Sequence, residues 1–219
     1  MHKVFIGSPV RNRGWILQEH IDSLKSQSGI DPEFFYVLNN STDNTEQTLK
    51  KNDIRYIKHD IQYPTHDWTR GHYSFQDLAT VRNVFLEEFL KSDCEYLFSI
   101  DSDIILRSHV SILDLILNDK DVISGLIKNS QTIFAHNILI KGMQPRHIPL
   151  GTIPVDTTGA VYLIKREVIE AGVRYGFHRY GEDYIFCEQA SEKGFGIYCD
   201  TTVQALHAFA PGTYLVPKI

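Results

Sequence analysis

Five mostly apolar residues, Tyr96-Leu97-Phe98-Ser99-Ile100, run directly into Asp101-Ser102-Asp103. The run is short and bounded, as in a strand buried on both faces of a parallel sheet. In open α/β sheets, ligands sit beyond the carboxyl ends of the strands. Asp101 and Asp103 are therefore expected where a ligand binds. Two neighbouring carboxylates repel unless a cation lies between them. A hard divalent ion, Mg²⁺ or Mn²⁺, is the natural choice for oxygen ligands. Spacing alone does not decide this, because Asp119-Lys120-Asp121 repeats it. That second copy precedes the apolar run Val122-Ile123-Ser124-Gly125-Leu126, at the wrong end of a strand, and reads as a solvated turn.

The chain before this run alternates strand and helix patterns. Val4-Phe5-Ile6 reads as a first strand, with Gly7 to Asn12 as the loop at its carboxyl end. Trp15 to Gln27 reads as a helix, with Ile16, Leu17, His20, Ile21 and Leu24 on one face at 3.6-residue spacing. Phe34 to Leu38 is a second strand, which runs into the turn-forming residues Asn39-Asn40-Ser41-Thr42-Asp43. Asp43 and Glu46 have capping-box spacing for a helix through Lys51. Ile54 to Ile57 is a third strand. Such an order predicts a Rossmann-like α/β half.

Asp60 to Tyr73 reads as a polar and aromatic loop carrying Tyr63, His66, Trp68, Arg70 and His72. Ser74 to Leu90 follows as a long helix with a stripe of Phe75, Leu78, Val81, Phe85 and Phe89. Beyond Asp103 the pattern predicts a helix around Val110 to Leu117 and a strand over Val122 to Ile127. Ile133 to Ile140 is expected to pair with that strand antiparallel. Ala160 to Ile164 reads as a strand, Glu182 to Lys193 as a helix closed by Gly194. Ile197 to Cys199 and Val203 to Leu206 read as two late strands, with His207 directly after them.

At 219 residues the chain is long enough to bury one domain-sized core without staples. A net charge of −5 implies no general affinity for nucleic acid or acidic membranes. Cys94, Cys187 and Cys199 have no C-x-x-C spacing and read as reduced thiols. No signal-peptide pattern and no apolar run of membrane-spanning length is present, so a soluble, cytoplasmic protein without an integral membrane segment is the expectation.

The segments Ser8-Pro9-Val10-Arg11-Asn12, Asn40-Ser41-Thr42-Asp43-Asn44-Thr45, Val81-Arg82-Asn83, Asp101-Ser102-Asp103, Thr158-Gly159-Ala160 and Gly181-Glu182-Asp183, taken in this order, resemble motifs of the GT-A glycosyltransferases, most like the family-2 type. Ser8-Pro9-Val10-Arg11-Asn12 resembles the loop that meets the donor nucleotide. Asn40-Ser41-Thr42-Asp43-Asn44-Thr45 resembles the G-S-T-D-N-T turn, Val81-Arg82-Asn83 the A-R-N helix segment, and Asp101-Ser102-Asp103 the D-x-D. Thr158-Gly159-Ala160 resembles T-G-A, and Gly181-Glu182-Asp183 the G-E-D. His207 stands where a late metal-ligand histidine falls. Together they span nearly the whole chain. One departure is Asn39, where the family commonly has an acid that meets the nucleotide base. Asparagine both donates and accepts, which opens the choice between UDP and GDP.

This resemblance implies a single GT-A domain over 1–219, with a nucleotide-binding half at 1–103 and an acceptor-binding half at 104–219. The fold class is a Rossmann-like mixed α/β sheet flanked by helices, with an antiparallel acceptor-side part. It implies an enzyme that moves a sugar from a nucleotide sugar, a UDP-sugar first, to a hydroxyl of a glycan or other acceptor, with inversion. Asp101, Asp103 and His207 are implied to hold Mn²⁺ or Mg²⁺. Pro9, Val10, Arg11, Asn39, Asn40, Ser41, Arg82 and Ser102 are implied to meet the donor. Asp183 is implied to be the general base, with Glu182, Trp68, Thr158, Gly159 and His178 near the acceptor.

Each residue also has a structural reading. Glu182 and Asp183 favour a helix N-terminus through its dipole. Arg82 can support the donor loop rather than touch phosphate, and the aromatic loop can be plain packing. The competing functions are a retaining transferase of the same fold, a sugar nucleotidyltransferase, and a non-catalytic carbohydrate-binding module. A nucleotidyltransferase wants a basic, glycine-rich loop after the first strand, which Gly7-Ser8-Pro9-Val10 does not supply. A dinucleotide-dependent dehydrogenase is disfavoured because no G-x-G-x-x-G follows that strand.

Overall fold

The computed structural model describes residues 1–62, 69–70, 73–131 and 135–217. The first half runs β1 (His2–Val10), α1 (Leu17–Lys25), β2 (Ile30–Leu38), α2 (Thr45–Lys51) and β3 (Arg55–Lys58). A short ribbon, β4 (Thr69–Arg70) with β5 (Tyr73–Ser74), precedes α3 (Phe75–Lys91) and β6 (Tyr96–Ile100). The second half runs β7 (Ile104–Leu106), α4 (Ser111–Leu117), β8 (Val122–Leu126), β9 (Ile138–Leu139), β10 (Thr152–Pro154) and β11 (Thr157–Thr158). It closes with β12 (Val161–Lys165), α5 (Arg166–Glu170), α6 (Glu182–Glu192), β13 (Ile197–Ala210) and β14 (Thr213–Leu215).

One mixed sheet carries the fold, in the order β3, β2, β1, β6, β12, β8, β13, β10. Strands β3, β2, β1 and β6 are parallel neighbours. Strand β12 then inserts antiparallel between β6 and β8. The sheet is therefore Rossmann-like on one side and mixed on the other. Phe5, Phe35, Phe85, Leu86, Phe89 and Leu97 are fully buried in the core under α3. Burial of such a side chain contributes about 1.5–3 kcal/mol. Helix α3 comes so close to β1 that a Cβ on Gly7 would lie 2.8 Å from the Phe85 ring.

Several elements differ from the sequence reading. Strand β1 continues through Pro9 and Val10, which were expected in a loop. The apolar Val10 packs with Leu17, Ile21, Tyr36, Leu38 and Leu49, so burial extends the strand. The expected capping box at Asp43 does not form. Glu46 instead accepts a hydrogen bond from the Tyr56 hydroxyl and pairs with Lys50 and Lys58. Of the stretch Ile133 to Ile140 expected to pair along β8, Ile133 and Phe134 lie outside the described residues, His136 bridges Lys128 antiparallel just past β8, and β9 pairs with β11 outside the main sheet. The two late strands are one, β13, with a register shift between Asp200 and Gln204. His207 consequently lies inside a strand rather than after one. Helix α3 starts as expected, with the Asp77 N–H donating to Ser74 Oγ at 3.0 Å.

His20 on α1 is fully buried, edge-on to Tyr36, with its Nδ1 2.7 Å from the Ile104 carbonyl oxygen. Burial pushes its pKa down, so the folded ring stays neutral while the unfolded chain takes a proton. Its contribution to stability is complete above about pH 6.5 and is lost as pH falls through the depressed folded value. The expected outcome is a lower urea midpoint at pH 5 than at pH 7, with a smaller difference in His20→Gln. An equal difference in both chains would contradict this account.

Candidate active site

The chain arranges its polar residues at the carboxyl end of β6. Asp101 follows the last residue of that strand, and its backbone N–H donates to the Ala160 carbonyl at 2.8 Å. Asp101, Ser102 and Asp103 line a cleft of about 600 Å³ together with Pro9, Asn12, Arg13 and His207. That volume lies in the range of small-molecule and cofactor sites. Trp15 and Phe209, 39% and 49% exposed, place aromatic surface along the same cleft.

Strand pairing brings His207 to the acidic end. Strand β13 runs antiparallel to β7 with His207 opposite Ile104, and the Ala208 N–H donates to the Asp103 carbonyl at 2.8 Å. His207 Nδ1 is 3.1 Å from the Lys128 carbonyl oxygen. A carbonyl only accepts, so in the neutral ring Nδ1 carries the hydrogen and Nε2 keeps its lone pair. Nε2 faces Asp103 Oδ2 at 3.9 Å. This gap is shorter than two metal–ligand bonds of about 2.1 Å end to end. A carboxylate oxygen and an imidazole lone pair are ligands that a divalent cation would accept, although Arg13 also donates to that oxygen.

Asp101 does not join that pair. Its carboxylate accepts from Arg82 Nη2, and Arg82 Nε donates to Glu182 Oε1 at 2.9 Å. Among the described residues no group of three acidic, histidine or cysteine side chains is placed to hold one ion. Arg82 and Glu182 are both fully buried. Burial works against the Arg82 charge, but Asp101, Asp183 and Glu182 outweigh it and hold the pKa well above its usual value. Arg82 is thus not presented to a diphosphate, and Glu182 is not presented to an acceptor. The Arg82 guanidinium is engaged by both Asp101 and Glu182, while Glu182 Oε2 is buried with no hydrogen-bond partner among the described residues.

Asp183 is 5% exposed at the start of α6. Its Oδ1 accepts from the Tyr162 hydroxyl at 2.9 Å, and Tyr162 and Tyr175 hydroxyls are themselves bonded. Burial, then the Asp183 charge, pushes the Tyr162 pKa well up, so Tyr162 stays a donor. A Cβ on Gly159 would meet Asp183 Oδ2 at 2.1 Å. Only glycine lets this carboxylate lie against the backbone next to Ala160, which lines the cleft. Thr158 is fully buried, and its N–H lies 3.5 Å from Cys187 Sγ. His178 stacks on Tyr184 with ring centres 4.2 Å apart and packs beside the exposed Tyr180.

The donor-side turn is tied to the loop after β1. The Asn12 N–H donates to Ser41 Oγ at 3.1 Å, and the Thr42 N–H to Asn12 Oδ1 at 2.8 Å. Asn39 is buried, and its Nδ2 donates to the His59 carbonyl and to Asn40 Oδ1. Val10 faces the core, so its side chain is not offered to a ligand. Arg11 is half-buried, and Pro9 and Ser102 line the cleft. Trp68 lies outside the described residues.

The sequence reading missed Arg13, Trp15, Tyr162 and Phe209. Arg13 donates from Nε and Nη2 to Asp103 Oδ2, at 3.2 and 2.9 Å. It lies in the same loop as Arg11, so its cationic character was visible while its direction was not.

The mixed α/β sheet, parallel on one side and with β12 inserted antiparallel on the other, has a GT-A-like glycosyltransferase fold. Solved structures agree. A197 from STIV superposes with a TM-score of 0.59 at 20% identity, covering 100% of this chain and 95% of that one. Mannosyltransferase PcManGT from Pyrobaculum calidifontis, in complex with GDP-Man and Mn²⁺, gives 0.61 at 16% identity, over 96% of this chain and 58% of that one. S. aureus TarS 1-349 in complex with UDP-GlcNAc gives 0.56 at 18% identity, over 92% and 58%. No family model matches the chain. Among curated proteins, procollagen-lysine,2-oxoglutarate 5-dioxygenase 1 of Gallus gallus is 23% identical over 155 residues, 62% of this chain but 21% of its own length. Among the described residues no helix is long and apolar enough to cross a membrane.

The buried Arg82 separates a support role from a ligand role. Removing one partner of a buried ion pair leaves an uncompensated charge and costs about 3–5 kcal/mol. Arg82→Met is therefore expected to lower stability by that amount in urea unfolding, and Arg82→Met/Glu182→Leu to recover part of it. Unchanged stability in the single variant would point to an arginine kept for donor binding.

Proposed function

We propose that this chain is a metal-dependent, inverting glycosyltransferase acting on a nucleotide sugar, with UDP-sugar as the donor. The observation that carries the reading is the approach of His207 Nε2 to Asp103 Oδ2 inside a cleft at the carboxyl end of β6. The solved structures with UDP-GlcNAc and with GDP-Man and Mn²⁺ support the substrate class. A mixed carboxylate and imidazole set favours Mn²⁺ over Mg²⁺, which prefers oxygen. When bound by Asp103 and His207, the cation supplies positive charge to the departing diphosphate.

The chain's own residues do the rest. The Asn39-Asn40-Ser41 turn and Pro9 flank the base and ribose. Asn39 is buried, with Nδ2 committed to the His59 carbonyl and Asn40 Oδ1, so it supports the turn that meets the base. Trp15 or Phe209 offers a flat face to a sugar ring. The acceptor hydroxyl attacks C1 on the face opposite the diphosphate, and its proton passes to the Asp183 carboxylate. The bond from C1 to the phosphate oxygen breaks, and the nucleoside diphosphate leaves with the electron pair. Tyr162 holds Asp183 by one oxygen, and His178 and Tyr180, in the segment before α6, serve as acceptor contacts. A protein of this kind acts on a hydroxyl of a glycan or other acceptor in the cytoplasm.

General-base assistance contributes about a hundred- to ten-thousandfold in rate. Asp183→Asn keeps the shape and cannot take the proton. Turnover is expected to fall by about that factor with donor affinity little changed. Proton NMR of the product should show the anomeric configuration opposite to the donor's. Retention of configuration would falsify direct displacement with Asp183 as base. Loss of donor binding in the variant would make Asp183 a structural residue instead.

A further inference from the structure

Arg13 donates two hydrogen bonds to Asp103 Oδ2, the same oxygen that His207 Nε2 faces. An oxygen engaged by a guanidinium is poorly placed to bind a cation as well, because the two positive charges repel. Arginine does not lose its proton in proteins, so no accessible pH relieves this competition. Another anion, offered to Arg13 in place of Asp103, relieves it. The arginine is half-buried in the cleft wall, 26% exposed at its side chain, and Asp103 is 15% exposed, so water screens the pair only in part.

The loop around Arg13 is built to hold it there. Asn12 takes a positive φ of 49°. The Arg13 N–H donates to Thr45 Oγ1 at 2.8 Å, and the Gly14 N–H to Asp43 Oδ2 at 2.9 Å. The Arg13 carbonyl accepts from the Ile16 and Leu17 N–H groups. These bonds fix the backbone and leave the side chain as the part that can move. Its planar fork matches a phosphate as well as a carboxylate.

We propose that Arg13 and the divalent cation are alternative partners of Asp103, and that the donor diphosphate exchanges one for the other. This rests on the nucleotide-sugar reading above. Without donor, Arg13 occupies Asp103 and weakens cation binding. When a nucleoside diphosphate arrives with its cation, Arg13 turns from Asp103 to a phosphate oxygen and the cation takes Asp103 and His207. Cation and diphosphate then bind cooperatively, each raising the affinity of the other by the same factor. Arg13 is a positioning residue for the donor and a guard on the metal site.

The test is Mn²⁺ titration of the whole chain, with free Mn²⁺ read by its electron paramagnetic resonance signal. Native chain, Arg13→Met and Arg13→Lys are compared, each alone and with UDP or GDP. A hydrogen-bonded charge pair of this kind is worth about tenfold in a competing equilibrium. Arg13→Met is therefore expected to bind Mn²⁺ alone about tenfold more tightly than the native chain, with Arg13→Lys between them. The enhancement of Mn²⁺ affinity by the nucleotide should be largest in the native chain and smallest in Arg13→Met. The backbone bonds around Arg13 do not use its side chain, and circular dichroism checks that each variant is folded. Equal Mn²⁺ affinity in native chain and Arg13→Met, or weaker binding in the variant, overturns the exchange while leaving the metal reading intact. Absence of Mn²⁺ binding in every chain, with and without nucleotide, overturns the metal reading and the exchange together.

Discussion

The cleft depends on a buried charge. Arg82, in the middle of α3, is enclosed on all sides and spans from Asp101 at the end of β6 to Glu182 at the start of α6. A guanidinium there is tolerated only because two carboxylates meet it, and each carboxylate is fixed in return. The core under α3 thereby sets the relative position of the donor-side strand and the acceptor-side helix. Asp183, next to Glu182, inherits that position and is held further by Tyr162 and the bare backbone at Gly159.

A second constraint acts through strand pairing. Strand β13 is long enough to pair with β8 and β10 along its first part and with β7 and β14 along its last. The register shift after Asp200 redirects it, and its far part delivers His207 to Asp103. Two residues more than 100 positions apart meet because β7 follows Asp103 directly and accepts β13 as a neighbour. The acidic run is therefore divided: Asp101 serves the buried charge, and Asp103 serves the open cleft. This division gives the two carboxylates different partners without requiring a cation between them.

Much of the fold was legible in the sequence. Short apolar runs and 3.6-residue stripes marked β2, β6, α3 and α6 within a residue or a few, since the strands are buried on both faces where they were read and the helices bury one side. The strand character of Pro9 and Val10 was hidden, because proline reads as a loop signal while its burial in β1 depends on α1 and β2. The unity of β13 was hidden for a similar reason: Asp200, Thr201 and Thr202 look like a turn, and only the sheet on both sides makes them strand. At the site, the strand-end position marked Asp101 and Asp103, while Asp183 and His207 stood out only through the resemblance to glycosyltransferase motifs. No local pattern could show that Arg82 and Glu182 neutralise each other in the core, or that Arg13 reaches Asp103 across 90 residues of chain. Charge pairing at a distance is a property of the packed sheet.

The account stands most directly on where a cation and a nucleotide bind. Crystals of the chain soaked with Mn²⁺ and UDP, and read by anomalous scattering at the manganese edge, give that position. The expected result is one manganese between Asp103 and His207 Nε2, bridged to the diphosphate, with the base beside Asn39 and Asn40. Manganese bound away from Asp103 and His207, or nucleotide outside the cleft at the end of β6, would contradict it.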